Sequence, residues 1–218
     1  MFSQLKIAAL CLGLVAAMVQ PVSAATTIDF DSVAAGSTAN SAAPAGISFV
    51  EAEFSTETDE FGDEIPGSEK WRVAADGTDV LARNPDTFDG GFYGPAPSGP
   101  NALDARWAPV LVQFADGIDL AGFSVTLDNS GFGNLVPADL LFLDATGLIL
   151  ATLVADQTVP GYVASWSGAL YGVSSILLPS GAYYDNISYS AVPIPPAAVL
   201  MFSALSALGF SARRKRVS

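Results

Sequence analysis

The stretch "GFSVTLDNS", residues 122–130, decides the fold. Phe123, Val125 and Leu127 fall on one parity, and Ser124, Thr126 and Asp128 on the other. Such alternation marks a strand with one face in a core and one toward water, because successive side chains of extended backbone point to opposite sides. The same period recurs on both sides of it. "TIDFD" (27–31) puts Ile28 with Phe30, "YVASW" (162–166) puts Tyr162 with Trp166, and "DLLFLDATGLILATLV" (139–154) reads as two apolar strands around a turn at residues 144–147. Helical periodicity is absent. Strands of roughly five to eight residues, spaced about ten apart and separated by Gly, Pro, Asn and Asp, predict an all-β sandwich or barrel. Residues 32–46, 51–69 and 84–101 are small, polar or rich in Gly and Pro, and are expected to be surface loops. Function in such folds usually sits on loops.

The two ends of the chain differ from this body. "MFSQLKIAALCLGLVAAMVQPVSA" has one basic residue, Lys6, an apolar run, then Pro21 and the small residues Ser23 and Ala24. This layout predicts a secretory signal peptide over residues 1–24, cleaved after Ala24. The lone cysteine, Cys11, lies inside the run, so the mature chain would lack cysteine and disulfides. At the other end, residues 197–212 carry no charge and would form a helix about 24 Å long, marginal for a membrane span. Arg213, Arg214, Lys215 and Arg216 follow directly, and by the positive-inside rule they form a cytoplasmic stop. The exported domain is therefore expected over residues 25–191.

This tail resembles the PEP-CTERM group of sorting signals, in particular the VPLPA-CTERM variant. Val192, Pro193, Ile194 and Pro195 match the Val-Pro-x-Pro core, with Pro196 as an added proline. Ala197 and Ala198 match the small residues that follow, Gly209 the glycine near the helix end, and the four basic residues the stop. The resemblance covers residues 192–218: a proline motif (192–196), a transmembrane helix (197–212) and a basic stop (213–216). It implies a Gram-negative bacterium whose exosortase reads the tail at the inner membrane and delivers the body to the cell surface or the exopolysaccharide matrix.

All 22 acidic residues lie in the body, against Lys70, Arg72, Arg83 and Arg106, for a formal charge of −18. A surface so acidic repels nucleic acid and tolerates cations, so no nucleic-acid partner is expected. The chain contains no His at all. That removes Ser-His-Asp triads, Cys-His pairs and the usual zinc ligand sets. Paired carboxylates for glycoside hydrolysis remain, but among 22 acids chance pairs are certain, and no catalytic residue is assigned.

The body's ends carry a second resemblance. "TTIDFDSV" (26–33) and "GAYYDNISYS" (181–190) are similar to the opening and closing strands of jelly-roll, galactose-binding-like modules. That likeness implies that first and last strands pair, and that acidic residues at their ends hold a structural calcium. On a regular strand Asp185 shares a face with Ile187 and Tyr189 and points into the core, where a carboxylate needs a partner. Asp29 and Asp31 lie on the parity opposite Ile28 and Phe30 and could approach it. Oxygen ligands of this kind suit calcium; turn formation and backbone hydrogen bonding are the competing roles. For a glycan, Phe92 and Tyr93 are the candidate contacts, because glycine and proline surround them and favour exposure, whereas Trp166 is expected in the core. Trp71 and Trp107 are weaker candidates for the same platform.

The resulting expectation is a jelly-roll-like β-sandwich between a signal peptide and a single C-terminal transmembrane helix. Its function is that of a non-enzymatic surface or extracellular-matrix protein, associated with exopolysaccharide or biofilm. The alternatives are a carbohydrate-binding module on the cell surface and a membrane-anchored glycosidase.

Overall fold

A computed structural model describes residues 24–92, 94–128, 138–155 and 161–192. Its framework is a pair of long strands, β6 (Val110–Asp128) and β9 (Tyr162–Leu178), which run antiparallel from Val110 opposite Leu178 to Leu127 opposite Tyr162. The alternation read in residues 122–130 is that of β6: Phe123, Val125 and Leu127 are buried, while Ser124 and Thr126 are half-buried. Asp128 departs from the expected pattern and is buried. Its Oδ2 accepts the Gly161 backbone N–H at 2.9 Å.

Both strands exceed the expected length because each serves two parts of one sheet. Register shifts between Gln113 and Gly122 bend the ladder there, as extra residues opposite a shorter partner segment do. Before the bend, β6 has β2 (Ile47–Ser55) on its free side, with β3 (Lys70–Val73) beyond. On that same section β9 carries β7 (Ala138–Leu143), followed by β8 (Ile149–Ala155). After the bend, β6 pairs with β10 (Ala182–Ala191). The far side of β10 takes β5 (Ala102–Ala105), edged by β4 (Ala82–Arg83), and then β1 (Thr26–Ile28). First and last strands pair, with Ile28 opposite Ile187. Among the described residues the chain is all-β, one antiparallel sheet of ten strands.

The two arms of the bent sheet share a core. Phe142 on β7 packs edge-on against Phe123 at 5.6 Å and at a tilt against Trp166 at 5.4 Å. Its ladder partners are Ala151 and Ile176, so these contacts run between arms rather than along strands. Phe30 with Phe49, and Phe114 with Tyr189, join the arms in the same way at 5.4 Å each. Residues 25–191 form one compact unit.

The loops differ in part from expectation. Residues 51–55 belong to β2, because Ala52 and Phe54 alternate with Glu51 and Glu53 and pair with β3. Loop 32–46 contributes Val33 and Ala39 to the core. Loop 84–101 opens with a single helical turn, α1 (Pro85–Phe88), whose N-cap Asn84 accepts the Thr87 N–H at 3.1 Å. No helix among the described residues is long and apolar enough to cross a membrane. The predicted signal peptide up to Ser23 and the tail from Pro193 onward lie outside the described residues.

Candidate functional site

Two clusters gather the polar chemistry, and both lie against loop 84–101. The first is built on an irregularity in β10. Asp185 faces Thr126, but the next matched pair is Ser188 with Ser124, so β10 holds one residue more than its partner. Asn186 takes up the excess at φ 48°, a left-handed conformation that Asn tolerates better than most residues. The bulge reverses the parity of the strand. Tyr184 and Ile187 both belong to the main core, while Tyr183 packs in a small separate cluster with Ala102. By that parity Asp185 does not share a face with Ile187 and Tyr189, as a regular strand requires, but lies on the Tyr183 side under loop 84–101.

Asp185 is fully buried there. The Ser98 hydroxyl donates to its Oδ2 at 2.5 Å, the Asn186 N–H donates to its Oδ1 at 2.8 Å, and the Asn186 amide donates to Ser98 Oγ at 2.8 Å. Burial raises the Asp185 pKa above the usual carboxylate range, and repulsion from Asp31 adds to the rise against these hydrogen bonds. Asp31 itself lies over Gly99, where a β-carbon would fall on its carboxylate, so this approach requires glycine. Asp31 thus lies near enough to Asp185 for the two charges to repel one another. Asp29 is exposed, and its Oδ1 accepts the Asp31 N–H at 3.2 Å to make a turn. Among the described residues no group of three or more acidic side chains gathers closely enough to hold a metal ion. A divalent ion here would need hydroxyl and carbonyl oxygens beside the two carboxylates.

The second cluster was not foreseen. Arg106, at the end of β5, has a side chain only 2% exposed. Its Nε and one terminal nitrogen donate to the two oxygens of Asp104 at 2.8 Å each, and the other terminal nitrogen donates to Asp89 at 2.8 Å. Tyr183 donates its hydroxyl to the same Asp89 oxygen at 2.8 Å. A planar guanidinium suits this fork because its donors lie in fixed directions. Burial would lower the Arg106 pKa, but the Asp104 hydrogen bond and the surrounding negative charge raise it overall. Burial and the bond to Asp89 raise the Tyr183 pKa far above its ordinary value, so the phenol stays protonated. The Phe88 ring lies 4.2 Å from the Arg83 guanidinium carbon and 4.6 Å from that of Arg106.

This anchor fixes the loop that carries exposed aromatics. Asp89 Oδ1 accepts the N–H groups of Gly91 and Phe92 at 3.0 and 3.2 Å, tying Phe92 to the Arg106 network. Phe92 is 59% exposed and Phe88 50%, while Trp107, directly after Arg106, is 76% exposed. Tyr93 lies outside the described residues. Of the tryptophans, Trp166 packs on the core as expected, Trp71 packs against Phe54 at 5.2 Å, and Trp107 is the one presented to solvent. The alternation Asp104, Arg106 at a strand end was the available signal for this cluster. It gave no indication that Asp89, 17 residues away, would join.

Of the sorting residues, Val192 is half-buried just after β10. Pro193, Ile194, Pro195, Pro196, Arg213, Arg214, Lys215 and Arg216 lie outside the described residues, and Ala24 is exposed at their N-terminal limit. Compared with known proteins, the chain matches no family model, no curated protein and no solved structure.

Proposed function

We propose that this chain is a non-enzymatic surface or extracellular-matrix protein that an exosortase sorts at the inner membrane of a Gram-negative bacterium. The observation that carries this reading is the order of the tail: a Val-Pro-Ile-Pro-Pro motif, an uncharged stretch, then four basic residues. A jelly-roll-like sandwich as the cargo is supported by the pairing of β1 with β10 and by the aromatic contacts between the two arms. Replacing Arg213, Arg214, Lys215 and Arg216 with neutral residues removes the cytoplasmic stop. Retention at the inner membrane and C-terminal processing should then both fall. Normal processing of that variant, read by intact mass of the exported product, would remove the basis for the sorting role.

A second reading, a carbohydrate-binding module on the cell surface, is favoured by the exposed Phe92 on the anchored loop and the exposed Trp107 directly after Arg106. Aromatic rings present flat apolar area that matches the C–H faces of pyranose rings at little conformational cost.

Structural calcium belongs to either reading. The residues that would hold it are Asp31 and Asp185 with Ser98 alongside, and its role would be to neutralise two carboxylates that repel one another. At a hundredfold excess over Kd, an ion bound only by the folded form adds about 2.7 kcal/mol. Calcium should therefore raise the melting temperature more than magnesium does at matched ionic strength, and Asp185→Asn should erase the difference. The pH dependence has a definite sign. A carboxylate whose folded pKa is raised stabilises the fold when protonated, and loses that contribution as pH rises through the raised value. Without calcium, the wild type should lose stability relative to Asp185→Asn as pH rises from the ordinary Asp range toward neutrality. The calcium increment should grow over the same interval. Equal shifts from calcium and magnesium, or a full calcium increment in the Asp185 variant, would exclude the site.

A further inference from the structure

We propose that a groove on the outer face of the β6–β9 ladder, on the β2 and β7 side of the bend, binds a neutral glycan strand. The proposal is independent of the aromatic loop and names a second surface.

The groove follows from strand register. Ser48 on β2 lies opposite Gln113 on β6, Gln113 opposite Ser175 on β9, and Ser175 opposite Leu143 on β7. Two residues along, the matching row is Val50, Leu111, Leu177 and Leu141. Both rows point away from the shared core, because the row between them, Phe49, Val112, Ile176 and Phe142, fills it. The apolar row is closed over together with Trp71 as a small second core. In the other row Leu143 is also closed over and Ser175 is buried, while Gln113 stays half-buried. Gln113, Ser174 and Ser175 border a hollow of about 420 Å³ with β3 along one side and the β7–β8 turn, residues 144–147, along the other. The turn can come this near only because Gly147 has no side chain: a β-carbon there would lie 2.9 Å from the Trp71 carbonyl oxygen. Past Ala145 and Ser174 the hollow adjoins a second of about 550 Å³, lined by the bend residues 115–119. The two hollows share these two residues as lining.

The lining chooses the ligand. Ser48 donates to Gln113 Oε1 at 3.5 Å, a long contact, and among the described residues the Gln113 amide N–H groups have no acceptor. Ser174 and Ser175 add hydroxyls, while the half-buried Trp71 adds apolar area. Amide and hydroxyl donors beside an aromatic residue match a pyranose, whose hydroxyls project around C–H faces. Charge argues against an acidic polymer. Of the two cations lining the first hollow, Lys70 is already paired with Glu57 and Arg72 is offset by Asp144 on the facing turn, Asp116 and Asp119 line the second hollow, and the body as a whole stands at −18.

The test uses the full chain purified as the cells express it, run in native gels containing laminarin, xyloglucan or galactomannan, with alginate as the acidic polymer. At least one neutral polysaccharide should retard the wild type. Gln113→Ala, which removes the unpartnered donors, and Ser174→Trp, which fills the passage between the hollows, should each weaken retardation about tenfold, as loss of one or two hydrogen bonds implies. Phe61→Ala, at a loop side chain 82% exposed that does not line the groove, should bind as wild type. If the bulky Ser174→Trp variant does not fold, Gln113→Ala alone decides. No retardation by any neutral polysaccharide, retardation by alginate only, or wild-type binding by Gln113→Ala would overturn the groove as a site. Loss on Trp107→Ala with the Gln113 variant unaffected would also overturn it, and would leave the aromatic-loop reading standing.

Discussion

Arg106→Met is expected to destabilise the fold by about 3 to 5 kcal/mol, the usual consequence of removing one partner from a buried ion pair. The substitution keeps most of the volume but takes away three donors at 2.8 Å. Asp104 and Asp89, each only 12% exposed, then face one another's charge with little compensation. Arg83 cannot take over. Its Nε stands 3.7 Å from Asp104 Oδ2 and makes no hydrogen bond. For a domain of this size the loss corresponds to a fall of roughly 6 to 20 °C in melting temperature. Arg106→Lys should recover only a minor part, because an ammonium cannot span the fork to Asp104 and reach Asp89 as well. Adding Asp104→Leu to Arg106→Met should restore stability relative to the single variant, since a buried carboxylate without its partner is the main cost. Denaturant unfolding measures all three. A loss below about 1 kcal/mol in Arg106→Met would place the network with ordinary surface pairs.

Phe142→Ala should cost a comparable amount, about 3 to 5 kcal/mol, for a different reason. Phe142 is fully buried and touches Phe123 and Trp166 across the fold, so its removal opens a cavity where the two arms meet. Neither neighbour can collapse into the space without leaving its own ladder position, opposite each other on β6 and β9. Two edge or tilted ring pairs are lost besides, each worth about 0.5 to 1.5 kcal/mol beyond burial in other proteins. Against a typical total of about 5 to 15 kcal/mol, the variant would be marginal at growth temperature. Phe61→Ala provides the contrast. The same chemical change at a side chain 82% exposed should stay within about 0.5 kcal/mol. Equal effects at the two sites would contradict the packing of the arms on one core.

The sequence by itself determined several of the strands and which of their faces are inside. Period-two alternation is a local property, and Phe123, Val125, Leu127, Ile28 and Phe30 are all buried as that period requires. It also determined the β7–β8 hairpin, whose turn at residues 144–147 is closed by Asp144 accepting the Thr146 and Leu148 N–H groups at 2.7 and 3.0 Å. Tertiary structure alone decided that β6 and β9 run through a bend and serve both arms, since a register shift exists only between two strands. It decided the face of Asp185 as well: one extra residue at Asn186 reverses the parity that a regular strand would give. The Arg106 network, the exposure of Trp107 and the in-register row of Ser48, Gln113 and Ser175 were invisible for the same reason. Each is assembled from segments distant in the chain, and their meeting is set by strand pairing and loop closure.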